Sequence, residues 1–206
     1  MVEKQEYIKD LKEIKDIMNR SSRFISLSGL SGVCMGVLAL AGAYLAYNTL
    51  YDQQDYFSYR QVIITNAMMF KILAIAVAVL ILSLAAGIFF TTRKAKKQGQ
   101  KIWDLQSKRL LVNLMIPLAA GGILCLILFL KGYMGLVAPL TLIFYGLALV
   151  NSSKYTLTDI RSLGLLEIVL GLLATHYIGY GLIFWALGFG ILHIVYGVVM
   201  HLKYDS

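Results

Sequence analysis

At 206 residues, with 59% hydrophobic and 15% charged side chains and a mean hydropathy of +0.73, the chain is far more apolar than a soluble domain, where about a quarter of residues are charged. That composition excludes an ordinary water-soluble fold and leaves little chain for a separate catalytic domain. A formal net charge of +8 raises nucleic acid as a partner, but the basic residues cluster in loops between apolar runs, which points to membrane topology instead.

Residues 1–22 read as an amphipathic cytoplasmic helix. In "EKQEYIKDLKEIKDIMNR" (3–20), Tyr7, Leu11, Ile14 and Met18 recur at helical spacing on one face. Such a helix lies along the bundle or the interface, or docks a cytosolic protein partner through residues 3–20. Residues 23–206 then hold six apolar stretches, about 24–47, 69–90, 111–130, 133–151, 160–177 and 179–201, each close to the roughly 20 residues that cross a bilayer core. The expected fold is an all-α polytopic membrane bundle of six transmembrane helices.

Orientation follows from the charges. Of the 19 Lys and Arg residues, six precede the first stretch, seven lie between the second and third, two between the fourth and fifth, and one follows the sixth. Only Arg60, Lys71 and Lys131 fall on the opposite loops, so the split is sixteen against three. The positive-inside rule then puts both termini in the cytoplasm. The loop around 93–109, with seven basic residues and Trp103, could also hold an anionic lipid headgroup. The opposite loop, 47–66, carries Tyr47, Tyr51, Tyr56, Phe57 and Tyr59 and reads as an interfacial aromatic belt.

Small residues mark the packing faces. Ser28, Gly32 and Gly36 lie four apart in the first stretch, Gly164 and Gly171 share a face of the fifth, and Gly190 and Gly197 share a face of the sixth. This spacing lets helix backbones approach closely where lipid supplies no hydrophobic drive for association; the same face of the first stretch could serve a homo-oligomer. Thr156-x-x-Asp159 resembles a capping box that would start the fifth helix near Leu157. "KGYMGLVAPLTLIFYGLAL" (131–149) also matches "THYIGYGLIFWALGFGILH" (175–193) at an offset of 44, sharing Tyr-x-Gly at a turn.

Two ionisable residues sit inside this apolar sequence. Glu167 shares the glycine face of the fifth helix, and His193 lies on the glycine face of the sixth. In an antiparallel pair their side chains lean toward each other, so they are expected to form a hydrogen-bonded pair and a ligand or proton site. Arg161, Lys154, Asn151 and Thr141 are the polar neighbours within reach in sequence; in the alternative reading Glu167 snorkels toward the interface or pairs with Arg161 or Lys154, and His193 bonds a backbone carbonyl. Cys34 and Cys125 read as small buried apolar side chains. The three histidines do not fall at metal-ligand spacing, and no catalytic motif is present. No cofactor and no metal are expected.

The opening "RSSRFISLSGLSG" (20–32) and the closing "LGFGILHIVYGVVMHLKY" (187–204) of a six-span chain resemble a group of bacterial inner-membrane proteins of unknown function. The resemblance implies a multi-pass protein of the bacterial inner membrane and transfers no site residue. The expected function is a non-enzymatic sensing, scaffolding or regulatory membrane component; the alternative is a small transporter or channel component with a proton- or ligand-linked Glu167/His193 site.

Overall fold

The computed structural model describes residues 28–51, 65–97, 99 and 103–204. The amphipathic stretch 3–20 and most of the aromatic loop 47–66 lie outside them. Six long helices make up the described chain: α1 (Gly29–Tyr51), α2 (Asn66–Lys97), α3 (Leu105–Leu130), α4 (Met134–Ser152), α5 (Asp159–His176) and α6. A 3₁₀ turn, Ser153–Tyr155, follows α4, and no strand occurs among the described residues. Helix α6 is composite: an α-helical turn Gly181–Trp185, a π-helical segment Ala186–Leu192, and an α-helix His193–Tyr204.

Five helical stretches are long and apolar enough to cross a membrane: 29–50, 66–97, 105–130, 134–155 and 181–203. The sixth, α5, is 18 residues long and carries Asp159, Arg161 and Glu167. Several boundaries differ from the sequence reading, among them the end of α2, which runs on to Lys97 rather than stopping near 90. Helix α3 starts at Leu105 and not near 111, because the Asp104 side chain caps it, accepting hydrogen bonds from the Ser107 N–H and hydroxyl at 2.6 Å each. Helix α5 starts at Asp159, with Thr158 at the cap position making no side-chain capping bond. Its first turn is closed by backbone bonds, Ile160 N–H to Leu157 O and Arg161 N–H to Thr158 O.

The turn from α3 to α4 is a Schellman motif. Tyr133 N–H bonds Leu128 O, Gly132 N–H bonds Phe129 O, and Gly132 has a φ of 84°, a conformation that glycine adopts without a Cβ penalty. In the α5-to-α6 turn the positive φ falls on Gly179. The offset of 44 aligns Gly179 with Gly135, not Gly132, so the two turns are built differently despite the matching sequence.

Helices consecutive in the chain pack antiparallel where they touch, α2 on α1, α4 on α3, α5 on α4 and α6 on α5; α6 also packs antiparallel to α1 and runs parallel to α4. Two seams are close enough to exclude any side chain. Along α1–α6, a β-carbon placed on Gly36 would lie 2.6 Å from Gly190 O, and one on Gly32 would lie 3.1 Å from Gly197 Cα. Gly29 meets the backbone of Gly197 and His201, so the start of α1 and the end of α6 share one end of the bundle. Along α4–α5, β-carbons on Gly146 and Gly164 would lie 2.5 and 2.7 Å from each other's carbonyl oxygens, and one on Gly171 2.9 Å from Pro139 O. Gly32, Gly36, Gly190 and Gly197 therefore belong to one seam, and Gly164 and Gly171 to the other; Ser28 is buried just before α1. By contrast, none of the apolar window of α2 is buried; this helix touches α1 where Val79 fills the space over Gly42.

Polar contacts fasten the ends. Lys203 Nζ donates to both carboxylate oxygens of Asp159 at 3.2 Å, tying the end of α6 to the start of α5. Asn151 Nδ2 donates to Asn113 O at 2.8 Å between α4 and α3. Burial works to raise the Asp104 carboxyl, but its hydrogen bonds from Ser107 outweigh this and hold it below the usual carboxylate value.

Two predictions follow from these contacts. Gly146→Ala gains about 1 kcal/mol of helix propensity but overlaps backbone, which costs about 1–3 kcal/mol; the melting temperature in detergent should fall, whereas Gly122→Ala, which meets nothing within 4 Å, should raise it. Asp104→Ala should cost about 1 kcal/mol at neutral pH. Because the folded-state value of Asp104 is depressed, its contribution is complete above the ordinary carboxylate range and disappears as pH falls through the folded value. Melting curves of wild type and Asp104→Ala should therefore converge in acid.

Candidate functional site

The centre of the bundle is where α4, α5 and the π segment of α6 meet. Gly164 and Gly171 hold α5 against α4, and Glu167, on the same face between them, is 0% exposed. Its carboxyl fits because residue 188 lacks a side chain. A β-carbon on Gly188 would overlap Glu167 Oε2 and lie 2.6 Å from Leu142 Cδ2, and Leu142 is itself fully buried.

His193 stands at the end of the π segment and uses both ring nitrogens. Nδ1 is 2.9 Å from Gly188 O and Nε2 is 2.8 Å from the Tyr145 hydroxyl. A carbonyl can only accept, so Nδ1 carries a proton and donates to Gly188. In the neutral ring Nε2 is then the acceptor, and Tyr145 O–H donates to it; in the charged ring Nε2–H donates to the tyrosine oxygen.

Glu167 Oε1 lies 3.4 Å from His193 Nδ1. That is an ion-pair distance but longer than an N–H···O hydrogen bond, and neither carboxyl oxygen of Glu167 has a hydrogen-bond partner. Of the two readings of the sequence, a direct Glu167–His193 hydrogen bond and a His193 bond to a backbone carbonyl, the second describes Nδ1. The π segment explains this, because it brings the Gly188 carbonyl, five residues back, nearer to Nδ1 than the carboxyl is. Single π turns inside α-helices occur often at functional sites.

The remaining expected neighbours lie elsewhere. Arg161 and Lys154 are exposed, Asn151 is engaged with α3, and Thr141 Oγ1 donates to Ala138 O of its own helix at 2.7 Å. Sequence reasoning missed two members of the cluster, Tyr145 and Gly188. A signal for the first existed: Tyr145 sits in the middle of an apolar span, away from the interfacial positions that tyrosine prefers. Aromatic rings complete the surroundings, with Phe189 5.0 Å from Tyr145, 5.1 Å from Trp185 and 5.8 Å from His193 between ring centres.

One carboxyl group, one imidazole and one phenol can bind and pass a proton. Among the described residues no group of three His, Cys, Asp or Glu side chains comes together to hold a metal ion, and a zinc site takes at least three protein ligands. No protein-family model, no curated protein and no solved structure matches the chain. The fold and the site define an all-helical bundle with five helices able to cross a membrane and an enclosed Glu–His–Tyr cluster at its centre.

Tyr145→Phe removes the hydroxyl on His193 Nε2 and should destabilise the protein in detergent by about 0.6–2 kcal/mol, the usual range for a hydrogen bond between membrane helices. Gly188→Ala should do more damage, because its methyl group occupies the space of the Glu167 carboxyl. In the Glu167→Ala background that same substitution should cost less, with the overlap on Leu142 remaining, a coupling that a double-mutant cycle measures.

Proposed function

We propose that this chain is a non-enzymatic, proton-responsive multi-pass protein of the bacterial inner membrane, binding and releasing one proton at Glu167. The observation that carries this reading is the enclosed Glu167 carboxyl, with no hydrogen-bond partner and His193 Nδ1 at 3.4 Å. An ionisable group inside a membrane bundle is expensive and is a functional candidate by default. A proton is also the one ligand that needs no cavity. As an acid beside a neutral imidazole the pair carries no net charge; on losing its proton Glu167 becomes a carboxylate whose nearest donor is Nδ1–H.

The distribution of basic residues supports cytoplasmic termini for this protein. In that orientation the basic segment 93–109 meets the anionic lipid of the inner leaflet, and residues 3–20 are placed to contact a cytosolic partner. Proton-coupled transport is the second reading. It is favoured by Tyr145, whose hydroxyl bonds His193 and adds a third group able to pass a proton.

Infrared difference spectra of the protein in lipid, recorded across a pH titration, test the proton site. A protonated carboxyl band that titrates and is lost in Glu167→Gln is expected; a spectrum unchanged by that substitution would sink the proposal. Proteoliposomes separate the two readings, since proton flux abolished by Glu167→Gln would favour transport over sensing.

A further inference from the structure

Glu167 and Gly188 compete for a single donor. His193 Nδ1 lies 2.9 Å from Gly188 O and 3.4 Å from Glu167 Oε1, and one N–H serves only one acceptor with good geometry at a time. While Glu167 is protonated its oxygens are uncharged, and the carbonyl can keep the donor. Once Glu167 is ionised the preference reverses, because hydrogen bonds to charged groups are about twice as strong and a buried carboxylate without a donor is far costlier than a buried carbonyl.

A carbonyl released in this way has another partner at hand. In an unbroken α-helix Gly188 O would accept from the N–H of Leu192, four residues on. The π segment ends at the residue whose side chain takes that carbonyl. We propose that Ala186–Leu192 is a two-state hinge in α6, held in π register while His193 bonds Gly188 and passing to α register when Glu167 gives its proton to bulk water and draws His193 away. The inference rests on the proton-binding reading above and adds its mechanical output.

The surroundings leave Glu167 in control of this donor. From α4 the facing titratable group is Tyr145, at 2.8 Å from Nε2, on the opposite side of the ring. From α1 the residues against this part of α6 are Gly32, Gly36 and Leu40, none titratable, with Cys34 on the same helix. On α5, Asp159 is paired with Lys203 and Arg161 is exposed, as is Lys154 before α5. Losing one residue of helical excess turns the two halves of α6 against each other by about 100°. Gly190, seated against Leu40, and Phe189, between Trp185 and Tyr145, would both be repositioned.

Solid-state NMR of the full chain in lipid bilayers tests this without a substitution. With the Gly188 carbonyl carbon and the nitrogens of His193 and Leu192 labelled, acidic samples should show the Gly188 carbonyl coupled to His193 Nδ1. Alkaline samples should show that coupling lost and a closer Leu192 nitrogen. Glu167→Gln should hold the acidic pattern at both pH values. If the Glu167 carboxyl titrates in the infrared while the Gly188 couplings stay unchanged, the hinge is wrong and the proton site stands. If Glu167→Gln switches as the wild type does, Glu167 does not drive the hinge. A carboxyl that never titrates overturns the proton site and the hinge together.

Discussion

The enclosure of one carboxyl group sets the demands on the rest of this bundle. Glu167 has no exposed surface and no hydrogen-bonded partner, so every neighbour must approach closely enough to leave no gap and yet not collide. Gly188 meets the second condition by having no side chain where Oε2 sits. The first is met by the glycine seams on either side: α5 is drawn onto α4 at Gly146 and Gly164, and α6 onto α1 at Gly36 and Gly190. Within a lipid-like environment such contact gains stability from dispersion and close packing, since burial from lipid adds no hydrophobic term. The glycine faces and the buried acid are thus parts of one arrangement.

The flanking helices carry less of this load. Helix α2 has an apolar window with no buried residue, and α3 is packed chiefly on α4. For a chain in water those exposed leucines and isoleucines would be a liability; in a bilayer they are the surface that faces lipid. Polar atoms are correspondingly placed at helix ends, as in the Asp104 cap and the Lys203–Asp159 pair, or are satisfied within their own helix, as Thr141 and Thr175 are.

Much of this was legible in the sequence, and for physical reasons. Apolar length fixes helices, so six stretches appear as six helices; small residues at intervals of three, four or seven must face a neighbour, so the seams were visible as faces. Which face meets which was not legible, since Gly32 offers the same surface to any partner. The α3 boundary was missed because the sequence reading followed hydropathy, while the helix begins at the Asp104 cap in polar sequence. The closeness of Glu167 and His193 could be counted from the turn between their helices. Their exact bonding could not, because it depends on the π register of Ala186–Leu192, a property of how α6 is wedged between α1 and α5 that no local preference announces. Tyr145 escaped for a related reason: its role depends on which rotational position of α6 presents His193.

The Lys203–Asp159 pair has a mechanical meaning that its modest energy hides. The lower half of α6, His193–Tyr204, is pinned twice, to α5 by that pair and to α1 by backbone contact at Gly29 and Gly197. The upper half begins at Gly181, directly after the Gly179 turn. That upper end is packed too, with Gly181 buried against Ala138 and Pro139 of α4. The proposed hinge would thus work between two anchored halves, so a change of register beside Glu167 must be taken up by the contacts of the upper half with α4 and by the Gly179 turn.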